Sequence, residues 1–157
     1  MKKYLFLILI IFLVGKIRSQ DLKESNYELV IENPKVFTEH KKIVRIDAIL
    51  INKSKDTLRY LSRSCSWSNF YEVDRNRMLI DLPACDKDVE TIVTLPPGES
   101  NSVKLDVNFP EGKSILNFKI GMHIVDPKSI KKIIFFNHTE ISQKYIIVWS
   151  NKLKIKL

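Results

Sequence analysis

Glycine is scarce, with four in 157 residues. A phosphate-cradling loop needs several closely spaced glycines, so the glycine-rich nucleotide motifs are excluded. No Gly-x-Ser-x-Gly turn is present to raise a catalytic serine. The three histidines, His40, His123 and His138, are scattered, and none lies between the two cysteines, Cys65 and Cys85. A zinc site wants four Cys or His ligands at short spacing, so that chemistry lacks its donors. No amphipathic stretch of three helical turns occurs, nor any internal repeat or low-complexity tract. No apolar run reaches the roughly 20 residues that a bilayer-spanning helix needs.

The longest apolar run covers residues 4–14, YLFLILIIFLV, behind Lys2 and Lys3 and ahead of Gly15 and Ser19. A short basic start, an apolar segment of this length and small residues after it make a secretory signal peptide. Cleavage is expected between Ser19 and Gln20, leaving residues 20–157 as one domain exported to the periplasm or the extracellular space. An uncleaved anchor is the alternative. No cysteine follows the run, so lipid attachment of the bacterial lipoprotein kind is not expected. Lys2, Lys3, Lys16 and Arg18 sit in this segment and carry half of the formal net charge of +8. The remaining surface mixes signs, which argues for solubility rather than for a nucleic-acid partner.

Two cysteines in an exported chain read as one disulfide. The alternatives are two free buried thiols or half of a metal site. The loop between them holds 19 residues, and closing a loop near that size is worth about 3 kcal/mol in the chain-entropy account.

Nearly every apolar stretch is short, β-branched and alternating, which is the pattern of half-buried strands. Strands are expected at 27–31, 43–51, 57–61, 91–95, 102–109, 115–125 and 144–157. Asn33-Pro34 is expected to end the first. Short runs at 70–73 and 78–82 are expected to form a hairpin across the turn-like Asp74-Arg75-Asn76-Arg77. Residues 130–136 are ambiguous between strand and helix. Val44, Ile46, Ala48 and Leu50 share one face, as do Leu116, Phe118, Ile120, Met122 and Ile124. Lys152, Lys154 and Lys156 line one face of the last strand, a guard against edge-to-edge pairing. The fold expected is an all-β antiparallel sandwich of seven to nine strands with one disulfide, or else a small barrel.

Asn52-Lys53-Ser54, then Cys65 and Cys85, then Leu95-Pro96-Pro97-Gly98-Glu99 between alternating strands resembles the immunoglobulin-like domains of small exported bacterial proteins. The segment after Cys85 is similar to the intracellular proteinase inhibitor family, which has that fold. The resemblance implies an immunoglobulin-like sandwich. It carries over no inhibitory residue, because none matches. The short spacing of the cysteines departs from the sheet-to-sheet bridge of antibody domains, so the bond is expected to pin a loop or neighbouring strands.

The candidate binding cluster is Trp67, Phe70 and Tyr71 with Arg63 and Arg75, because aromatics and arginines are enriched at interface hot spots. The competing role for Trp67 and Phe70 is to close one end of the core. Asp86, Asp88 and Glu90 alternate as in a calcium loop but lack the turn glycine and the later bidentate acid. They read as a solvated loop. His123 reads as a surface histidine, and Trp149 as core or a strand-end cover. Asn52-Lys53-Ser54 and Asn137-His138-Thr139 match the glycosylation pattern, which matters only in a eukaryotic secretory route. Together these residues point to a non-enzymatic binding or structural module, with no cofactor or metal and an envelope or extracellular protein or glycan as partner. An inhibitor of an extracellular protease acting through the Cys65–Cys85 loop is the alternative.

Overall fold

A computed structural model describes residues 22–37, 42–82, 84–129 and 145–157. The expected signal segment, His40, residues 130–136 and the Asn137 motif lie outside the described residues. The described chain is all-β, with eleven strands, antiparallel pairing throughout the ladders and a Cys65–Cys85 disulfide. The strands are β1 (Tyr27–Phe37), β2 (Ile43–Asn52), β3 (Leu58–Arg63), β4 (Tyr71–Val73), β5 (Leu79–Ile80) and β6 (Glu90–Leu95). They continue with β7 (Ser100–Asn108), β8 (Ile115–Phe118), β9 (Ile120–Val125), β10 (Tyr145–Trp149) and β11 (Leu153–Lys156).

One sheet runs β1-β2-β7-β5; the other ladders are β10-β9-β4, β11-β8 and β3-β6. β2 shows how the pattern sets the register. Val44, Ile46, Ala48 and Leu50 are all buried, and three of them face Val107, Leu105 and Val103 of β7 across the ladder. Leu116, Phe118, Ile120, Met122 and Ile124 are likewise buried and join the same cluster. Inward residues of all the ladders therefore meet in one core, at about 0.8 kcal/mol per buried methylene.

Three expectations need correction. The strand count exceeds seven to nine because 115–125 and the C-terminal strand are each cut in two. At Lys119 the ladder gives way to side chains: the Lys119 amide donates to Asp74 Oδ1 at 2.8 Å, and the Ile120 amide donates to Ser150 Oγ at 3.0 Å. The first strand does not end at Asn33-Pro34. It continues to Phe37 across an irregularity between Glu32 and Lys35. Asn33 has φ 52° and Nδ2 donates to Asp47 Oδ2 at 2.9 Å; asparagine tolerates that region, and proline at a bulge forfeits no ladder bond. Finally, 70–73 and 78–82 form no hairpin. β4 pairs with β9 and β5 pairs with β7, so the turn between them, with Arg77 at φ 73°, crosses between sheets. Met78, buried at that crossing, anchors it in the core.

The Asn52 motif and the Pro-Pro-Gly turn are one structure. Asn52 is fully buried. Its Nδ2 donates to the carbonyls of Asp56 and Leu95, both at 2.9 Å, and its Oδ1 accepts from the Ser54 amide and hydroxyl. The Gly98 amide donates to the Asn52 carbonyl at 2.8 Å from a turn in which Gly98 holds φ 77°. That backbone region suits glycine. A buried, fully bonded amide has no room for a glycan, so Asn52 serves to tie this turn together.

Candidate functional site: the Cys65–Cys85 excursion

β3 and β6 pair from Leu58↔Leu95 to Arg63↔Glu90. Beyond that ladder the Ser64 amide donates to the Val89 carbonyl at 2.9 Å, and the Val89 amide donates to Ser64 Oγ at 3.0 Å. The disulfide follows at once, with its Cα atoms 6.0 Å apart. It ties the chain just past the end of β3 to the loop that leads into β6, and closes the excursion that runs through β4 and β5.

Asp88 organises the mouth of this loop. Its carboxylate accepts from Arg63 at 2.7 Å, from the Cys65 and Ser66 amides at 3.3 and 3.1 Å, and from the Ser66 hydroxyl. The Ser66 hydroxyl and then the Arg63 guanidinium hold its pKa far below the usual carboxylate range; desolvation opposes them by less, and the Ser66 and Cys65 amides add smaller lowering effects. Hydrogen bonds to the ionised form stabilise that form. The solvated-loop reading is therefore corrected at Asp88. A single carboxylate in an alternating acidic run gave no signal of its own.

The sequence-based cluster is divided by the structure. Trp67 and Phe70 bound a 3-10 turn, and Tyr71 opens β4. Trp67 meets Tyr71 edge-on at 6.3 Å between ring centroids, and both pack half-buried against the core. Burial, then the neighbouring Tyr60, pushes the Tyr71 phenol well above its ordinary pKa. Arg63 is bound to Asp88 and lies 3.7 Å from Glu90. Arg75 sits past the far end of β4, where Nε donates to the Asn117 carbonyl at 3.1 Å. What the excursion and the strand that follows it present to solvent instead are Leu79, Leu82, Val89 and Ile92, exposed by 69, 59, 61 and 49%. Sequence reasoning missed all four. Leu79 and Ile92 lie within β-type runs, and alternation alone does not say which face of a strand turns outward.

Elsewhere, His123 stacks on Tyr145 with centroids 5.3 Å apart and lies 3.3 Å from Glu72. Trp149 is a cover rather than core. A Cβ on Gly121 would stand 3.0 Å from its ring, so the indole lies directly over the glycine backbone. Among the described residues no group of three or more His, Cys, Asp or Glu side chains is placed to hold a metal ion, and no helix is long and apolar enough to cross a membrane. Compared with known proteins, the chain matches no family model, no curated protein and no solved structure.

Proposed function

We propose that this chain is an exported, non-enzymatic binding module with an immunoglobulin-like sandwich fold, and that the Cys65–Cys85 excursion is its contact surface for an envelope or extracellular protein or glycan. The observation that carries the reading is the combination found there: a backbone fixed by a disulfide, by four hydrogen bonds to the Asp88 carboxylate and by one from Val89 to Ser64, with Leu79 and Leu82 on the excursion and Val89 and Ile92 just after it turned to solvent. A surface ordered before it binds loses less conformational freedom on binding. Exposed apolar side chains are what such surfaces use.

The neighbouring strand supports a protein partner. Among the described residues β6 pairs only with β3. Its run ETIVTL holds no lysine, proline or glycine. Two other sheet margins are guarded: β11 by Lys154 and Lys156, β1 by its bulge at Pro34 and by Asn151, whose side chain bonds both the amide and the carbonyl of Ile31. Proteins usually blunt a free edge in such ways, and an unblunted one accepts an added strand. The sandwich half of the reading is supported by strand order β1-β2-β7-β5 and by the single core shared with the β10-β9-β4 ladder.

The test is capture from the host's envelope and culture fluid, read by mass spectrometry, beside a Leu82→Ser/Val89→Ser variant that keeps the disulfide and the core. A partner retained by the native protein and lost by the variant supports the reading. Equal retention by both moves the contact off the excursion. The same fixed loop suits protease inhibition: a protease slowed while residues 64–89 stay intact turns the reading to that activity, and cleavage throughout without slowing removes it.

A further inference from the structure

One side of β6 is unpaired: among the described residues its only ladder is with β3. Which main-chain groups face the free side follows from that ladder. The Ser64 amide donates to the Val89 carbonyl, so Ser64 and Val89 are a hydrogen-bonded pair. Such pairs alternate along an antiparallel ladder, so Thr91 and Val93 turn their N–H and C=O groups toward β3, and Glu90, Ile92 and Thr94 turn theirs away. The side chains alternate as well. Val93 and Leu95 pack toward the core, and Val89 and Thr91 share their face. Ile92 stands on the opposite face, 49% exposed, across from Leu61, which is buried but lies outside the core cluster. Beside the C-terminal end of β6 a groove of about 300 Å³ opens toward the start of β7, lined in part by Val93, Leu95, Pro96 and Asn101.

A second β6, run antiparallel about a twofold axis at Ile92, fits this edge. Strands joined in one sheet keep their faces, so a register must set outward residues against outward ones. Centred on Ile92, it sets Ile92 against Ile92 of the second copy and Glu90 against Thr94. The free N–H and C=O groups of Glu90, Ile92 and Thr94 then meet their complements, making about six hydrogen bonds between the two strands. Both exposed apolar side chains of the segment are covered: Ile92 against its copy beside Leu61, and Val89, exposed by 61%, opposite Leu95 at the copy's groove. Glu90, 3.7 Å from Arg63, faces a threonine and no acid. Sliding by two residues one way sets Glu90 against Pro96, which has no N–H. Sliding the other way sets Thr94 against Asp88, whose segment is already held by Arg63 and Ser66. We propose that two copies of this chain join edge to edge through β6 in this one register, making a continuous β3-β6-β6-β3 sheet. The proposal rests on the reading of β6 as a contact edge and gives that edge the chain itself as partner.

Sedimentation equilibrium of the purified, oxidised protein reads the association. A monomer–dimer equilibrium is expected. Ile92→Lys should weaken it at least about tenfold, because like charges then face each other at the axis, and Ile92→Glu should do the same. Mixing the Ile92→Lys and Ile92→Glu chains should recover a dimer holding one of each, since only the register centred on Ile92 sets this position against itself. Ile92 is exposed, so both variants should keep the native thermal midpoint, and recovery on mixing shows in addition that both chains are folded. A monomer at every concentration up to about 1 mM, the weak end of specific association, overturns the proposal and leaves the envelope-partner reading to its own capture test. Capture that fails while the dimer forms removes the envelope partner and leaves this interface standing. A dimer unaffected by Ile92→Lys overturns the proposal, and so does a dimer lost in both variants that does not return on mixing.

Discussion

Asn52→Ala should destabilise the protein out of proportion to the few atoms removed. The side chain donates to the carbonyls of Asp56 and Leu95 and accepts from Ser54. Asn52 is fully enclosed, and Leu95 is 4% exposed. Removing the amide leaves the Leu95 carbonyl buried without its side-chain donor, which costs about 1–3 kcal/mol, and the other lost bonds add about 1 kcal/mol. The total expected is about 2–4 kcal/mol, a large share of the roughly 5–15 kcal/mol of a whole domain. Equilibrium urea unfolding measures it, with an unchanged slope showing that the unfolded state is not at issue. Ser54→Ala, which removes only the hydroxyl, should cost about 1 kcal/mol or less. Asn52→Asp is the sharper variant, because an ionised carboxylate would face two carbonyl oxygens. Its folded-state pKa would be raised, so its deficit should shrink as the pH falls to the ordinary carboxylate range and grow above it. A loss under about 1 kcal/mol for Asn52→Ala, at unchanged slope, refutes the reasoning.

Replacing Cys65 or Cys85 by serine should lower stability by about 2–5 kcal/mol in non-reducing urea unfolding, and an unchanged midpoint would deny the bond a stabilising role. Trp67→Ala should cost about 2 kcal/mol, roughly half the value for a fully buried tryptophan, because the ring is only half-enclosed against the core. A cost near zero in the same assay would place the ring outside the packed structure. Asp88 has a depressed folded-state pKa, so its closure of the loop should be intact above the ordinary carboxylate range and lost only as the pH falls below it. Amide resonances of Cys65 and Ser66 followed through an acid titration test this: loss beginning above about pH 4 contradicts it. Tyr60 and Tyr71 have raised pKa values, chiefly from burial. The contribution of these phenols should be present below about pH 10 and decline as the pH rises further, with their ultraviolet titration delayed beyond that of an exposed tyrosine.

The sheet elements were legible wherever alternation met a turn signal. β2 and β7 declare their buried faces residue by residue, and the Pro-Pro-Gly turn declares the junction of β6 and β7. Legibility failed where a side chain replaced a backbone partner. Nothing in the composition of 115–125 says that Asp74 and Ser150 will take over hydrogen bonds around Lys119, since both are distant in sequence. The strand through Asn33-Pro34 was hidden by two residues that ordinarily end strands and here form a bulge. In the candidate site, the cysteine pairing followed from compartment chemistry, and Trp67 and Tyr71 do meet, but the two arginines have partners of their own. Proximity in sequence placed Arg63 and Arg75 together, whereas Asp88 claims one and the Asn117 carbonyl the other. The outward turn of Leu82 and Val89 arises only from the packed fold.

The rigidity of the Cys65–Cys85 excursion is the claim on which the proposed contact surface stands, and amide hydrogen exchange in the native, oxidised protein measures it directly. The amides of Ser64, Cys65, Ser66 and Val89, each with an acceptor in the structure, should exchange slowly and together with the β3–β6 ladder, and Asp88→Ala should release those of Cys65 and Ser66 while the ladder stays protected. Exchange of these four at the rate of an open loop, with β3 and β6 still protected, would contradict the account.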